Sequence, residues 1–109
     1  MVRSIILSAA VVAGFASAVS AQDLKAKGAE VYTAQKCSLC HSVAGKGNPK
    51  GALDDVGSKL KADEIRQWIT DSKGMTAKTQ AARKPEMKAY TLPKGDVDAL
   101  VAYLSSMKK

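Results

Sequence analysis

Five consecutive residues, Cys37-Ser38-Leu39-Cys40-His41, hold both cysteines and the single histidine of this chain. Two thiols separated by two residues and followed at once by an imidazole are compatible with four kinds of site. A thiol–disulfide redox centre uses Cys-x-x-Cys, but in a βαβ setting that this sequence does not suggest. A structural zinc site needs four donors, and no second pair of cysteines or histidines is present. A plain disulfide across two residues closes too short a loop to stabilise much. The Cys-x-x-Cys-His spacing is the signature of covalent haem attachment, and that is where it points. Two thiols on one turn reach the two vinyl groups of one haem and form thioethers. The adjacent imidazole then faces the iron, and cofactor and chain become one covalent unit.

The elements that must position this pentapeptide are helices. Leu24, Gly28, Val31 and Gln35 recur at spacings of three and four, with Tyr32 beside them, and predict a first helix over Asp23 to Lys36. Gly28 inside that helix costs about 1 kcal/mol against alanine, so close approach of another backbone is expected there. Ser42 to Lys61 carries Gly45, Gly47, Gly51, Gly57 and Pro49 and reads as a long loop. A loop of that length in so small a domain wraps something or has a function.

Asp63 to Ser72 reads as a second helix, with Asp63 and Glu64 in its first turn and Gly74 marking its end. Its apolar face is Ile65, Trp68 and Ile69. A short helix from Thr76 to Ala82 follows. Lys84 to Tyr90 is extended or turn-like, because Pro85 stops ordinary helix continuation. Pro93 opens the last helix, whose stripe is Val97, Leu100, Val101, Leu104 and Met107. No segment shows strand alternation.

The first residues have another purpose. Arg3 precedes an uncharged apolar or small stretch, Ile5 to Val19, and Val19-Ser20-Ala21 supplies small residues for cleavage. Residues 1–21 therefore read as a secretory signal peptide, and 22–109 as one domain exported to the periplasm. The apolar run is shorter than the ~20 residues of a spanning helix, so no stable membrane insertion is expected. The formal net charge is +7, with lysines spread along the chain. No dense basic run with interleaved aromatics is present, which argues against nucleic acid. The excess suits attraction to an acidic partner.

From Asp23 to Lys109 the chain resembles the class I cytochromes c. Gly28 and Tyr32 match the glycine–aromatic pair of that family's first helix. Cys37, Cys40 and His41 match its attachment motif. The glycine-rich loop, Trp68, Lys84-Pro85-Glu86-Met87, Leu100 and Tyr103-Leu104 follow in the family's order. The resemblance implies an all-α fold, its first and last helices crossing at Gly28, with one haem c in a crevice whose edge nears solvent. It also implies that Met87 sulfur is the sixth iron ligand, opposite His41, rather than Met75 or Met107, which read as packing residues.

A filled coordination shell favours electron transfer over oxygen chemistry. The implied function is thus a soluble monomeric electron carrier and not an enzyme, serving redox partners with acidic docking surfaces. The alternatives are an accessory haem subunit of a periplasmic redox enzyme and a haem-based sensor or small-ligand binder. Two positions depart from the family. The loop has Gly51-Ala52-Leu53 where a proline often precedes the leucine, so the carbonyl of Ala52 or a neighbour is expected to hold the His41 tautomer. Lys88 stands where many relatives have a second proline.

Overall fold

The computed structural model describes residues 20–108, so the expected signal segment lies outside the described residues except for its last two. Among the described residues no helix is long and apolar enough to cross a membrane. They form α1 (Ala21–Ala34), α2 (Val56–Lys59), α3 (Ala62–Thr70), α4 (Ser72–Thr79) and α5 (Lys94–Ser105), in the all-α architecture expected. Additions to that expectation are α2, inside the stretch read as loop, the 3-10 turns at Cys37–Leu39 and Pro49–Gly51, and a hairpin of two-residue strands, β1 (Ser42–Val43) and β2 (Lys46–Gly47), too short to show alternation in sequence.

The fold is built on the crossing of α1 and α5. Ser20 caps α1 by accepting from the Asp23 N–H at 3.1 Å. Pro93 opens α5, its carbonyl accepting from the Asp96 and Val97 amides. From α5, Val97, Ala99, Leu100, Val101 and Leu104 are buried against Val31 and Tyr32 of α1. Each fully buried side chain of Val or Leu size contributes roughly 1.5–3 kcal/mol. That stripe outweighs the exposed Lys27–Asp96 ion pair between the same helices. Tyr32 and Tyr103 add an edge-to-face contact, with ring centroids 5.8 Å apart.

Gly28 is the point of closest approach. A Cβ there would overlap the Ala99 carbonyl oxygen and lie 2.5 Å from Tyr103 Cβ. Alanine would gain about 1 kcal/mol of helix propensity, but neither neighbour is the free end of a flexible chain, so the overlap wins. Gly28→Ala is expected to lower stability by about 1–3 kcal/mol, read from the denaturant midpoint. An unchanged or higher midpoint would contradict this packing.

Helix α3 lies against α5 through Ile65 and Ile69, both buried. Arg66 reaches Asp98 at 2.6 Å, while Lys94 and Arg66 together hold the Asp98 carboxyl below its ordinary range. The second helix ends at Thr70, earlier than its periodicity suggests. Asp71 is the reason: its carboxylate accepts from the Gly74 N–H at 3.2 Å and caps a new helix. Gly74 is therefore inside α4 and not a terminator, and the short helix expected from Thr76 begins at Ser72. The long loop carries more structure than its glycines imply, because Val43, Leu53, Val56 and Leu60 turn inward onto the core. Helix α2 is seated on the end of α5 by a Gly57 N–H to Met107 carbonyl bond of 2.8 Å.

Candidate functional site

Helix α1 ends two residues before the pentapeptide, and Lys36 reverses the chain with φ of 57°. Cys37–Leu39 then forms a single 3-10 turn. The Cys37 carbonyl accepts from the Cys40 N–H at 3.1 Å and the His41 N–H at 2.9 Å. This tight turn gathers the two thiols and the imidazole. Cys37 is half-buried and packs on the core, whereas Cys40 is exposed. Burial pushes the Cys37 thiol up, opposed in part by a backbone hydrogen bond and then by the Lys88 charge.

His41 Nδ1 lies 3.0 Å from the Gly51 carbonyl oxygen. A carbonyl only accepts, so Nδ1 carries the proton and Nε2 keeps the lone pair. Burial pushes the His41 pKa down, the Gly51 bond opposes this, and the Arg83 charge adds to it. The residue holding the tautomer is thus Gly51, the neighbour of Ala52. Glycine is required there by space: a Cβ would overlap the Cys40 carbonyl oxygen and the Arg83 guanidinium and lie 2.9 Å from His41 Nδ1. Leu53 N–H to Ser42 carbonyl at 2.8 Å ties the loop just beyond it to the chain just beyond His41.

Cys37, Cys40, His41 and Met87 all line one cavity of about 600 Å³. Met75 is only 4 % exposed and lies in the core, and Met107 packs at the end of α5; neither lines the cavity. The rest of the wall is mainly apolar, with Leu53, Ile65, Ile69, Leu100 and Leu104 among its residues. Leu100, Leu104 and Tyr32, which read as plain helix-packing residues in the sequence, are also cavity wall. Trp68 is half-buried on that wall and not enclosed in the core. Tyr90 faces it too, with Lys88 Nζ 4.9 Å from its ring centroid.

One wall residue escaped the sequence reading. Arg83 donates from Nη2 to the Cys40 carbonyl at 2.5 Å. Its only signal was being one of the few arginines in a lysine-rich chain. A planar multi-donor fork has uses that an ammonium lacks, and the other described arginine, Arg66, is likewise engaged.

Over residues 25–108 the chain matches the family Cytochrome c. The chain belongs to the cytochrome c family. Comparison with curated proteins and with solved structures returned no match. Cytochromes c bind haem covalently as haem c and act by haem-based electron transfer. The site of this cytochrome c fits that group. Its volume lies within the roughly 300–1,000 Å³ of cofactor pockets, and its wall is apolar enough for a macrocycle. Imidazole nitrogen and thioether sulfur are the donor pair that haem iron accepts in electron-transfer proteins.

Proposed function

We propose that this cytochrome c is an exported, soluble, one-haem electron carrier with His41 and Met87 as axial ligands. The observation that carries the reading is the cavity wall: His41 and Met87 line it, and Met75 and Met107 do not. Cys37 and Cys40 would hold the haem, each thiol adding across one vinyl group to form a carbon–sulfur bond, its hydrogen passing to the vinyl carbon. The bound iron would supply one-electron exchange between Fe(III) and Fe(II). Gly51 keeps the His41 proton on Nδ1, so Nε2 remains a donor. The apolar wall excludes water, which limits reorganisation of the surroundings when the charge on the site changes.

The test is the intact mass of protein matured in a host that attaches haem c. The expected species is residues 22–109 plus one haem that survives denaturation. Two free thiols, or a Cys37–Cys40 disulfide, in that protein would sink the reading.

Lys36, Arg83 and Lys88 are exposed residues of the cavity wall, on a chain of net charge +7. They support an acidic docking surface on the redox partner. Reaction rates with an acidic acceptor should fall as salt rises, because the screening length is only about 10 Å at 0.1 M. Rates that do not change with ionic strength would remove this part of the proposal.

A further inference from the structure

We propose that Arg83 is a positioning residue for the distal ligand: its guanidinium pins the segment that carries Met87 to the attachment turn. The inference rests on Met87 being the distal ligand.

Residues 82–89 form no helix or strand, and among the described residues no backbone hydrogen bond ties them to the rest of the chain. The fixed points on either side are Ala81 N–H to Thr76 carbonyl at 3.1 Å and Tyr90 N–H to Ile69 carbonyl at 2.9 Å. Within the stretch, Lys84 pairs only with Glu86 of the same stretch, and Lys88 lies over Tyr90. Among the described residues the Arg83 to Cys40 bond is therefore the one hydrogen bond from inside this strap to a distant part of the chain. It moves the nearest upstream anchor of Met87 from Ala81 to Arg83, which shortens the free length that thermal motion can explore.

The geometry of the contact suits the task. Arg83 donates from Nη2 to the Cys40 carbonyl, in the turn that gathers the thiols. Its Nη1 occupies the space that a Cβ on Gly51 would need. Gly51 in turn accepts from His41. The segments bearing the two axial donors are thus linked by one guanidinium, hydrogen-bonded through Nη2 and packed beside Gly51 through Nη1. An ammonium has no such planar fork. The bond is exposed to solvent, so its effect should be moderate: about a tenfold change in the population of the state with Met87 displaced, the scale of one charge-assisted hydrogen bond.

An exogenous ligand must displace the methionine to bind, so its apparent affinity scales with the fraction of molecules in which the strap is open. The experiment measures imidazole binding to the oxidised holoprotein by optical titration, alongside the sulfur–iron charge-transfer absorption. Arg83→Ala should bind imidazole about tenfold more tightly than the parent, and Arg83→Lys should fall between, which also covers poor folding of the alanine variant. In a Met87→Ala background, where no methionine competes, the effect of Arg83→Ala should vanish.

Unchanged affinity in both Arg83 variants, with the charge-transfer absorption present in the parent, overturns the proposal. So does an effect of equal size with and without Met87, which would make Arg83 act on the pocket and not on the strap. Absence of that absorption from the parent instead overturns Met87 as the ligand.

Discussion

Replacing Met87 by alanine is expected to remove the sulfur–iron charge-transfer absorption, lower the reduction potential and let carbon monoxide or cyanide bind at the opened position. The shift in potential should be on the order of 0.1 V, a fraction of the roughly 0.8 V that axial ligands command. The argument is one of access. Met87 is half-buried on the wall that also carries His41. Met75 belongs to the core, where alanine should instead cost about 2–5 kcal/mol of stability through the cavity left behind. Met75→Ala should therefore keep the absorption and lower the melting temperature. Loss of the absorption in Met75→Ala and its survival in Met87→Ala would reverse the assignment.

Substituting both Cys37 and Cys40 by alanine, in protein made without haem, should abolish cooperative unfolding. The reason lies in the size of the cavity relative to the domain. Ile65, Ile69, Leu100 and Leu104 all turn apolar surface onto the 600 Å³ that they enclose with the Met87 segment. A dry void of that size would cost on the order of 10 kcal/mol by the cavity relation for core truncations. That matches the roughly 5–15 kcal/mol that holds a whole domain together. Letting water in leaves an apolar wall wet, and collapsing the walls breaks the seating of α3 on α5. Small domains have little surplus core with which to offset either outcome. The expected result is a broad, shallow thermal transition by circular dichroism. A sharp transition like that of the holoprotein would show that the helices suffice by themselves.

Much of this molecule can be read without its structure, and the legible parts share a cause. The attachment motif is a local constellation, because two thiols and an imidazole within one turn are brought together whatever the distant chain does. Helices α1, α3 and α5 are legible because spacings of three and four map directly onto one helix face. Gly28 was conspicuous because a glycine inside such a pattern needs a neighbour to justify it, and Ala99 is that neighbour. The misplaced boundary at Gly74 is also local: a capping carboxylate at Asp71 outcompeted the terminating tendency of glycine, and both lie within one turn.

Tertiary structure decided the rest. That Gly51, and not Ala52, accepts from His41 depends on how the 42–61 loop folds over the hairpin. That Arg83 meets Cys40 depends on a contact between positions 43 apart in sequence. Which methionine shares a cavity with His41 depends on α3 and α5 forming the wall between the two segments. Periodicity records the environment of a residue within its own element, through interactions that span a turn. It carries no term for which distant backbone a side chain will meet, and that is set only when the helices cross and the loops between them take the paths left open.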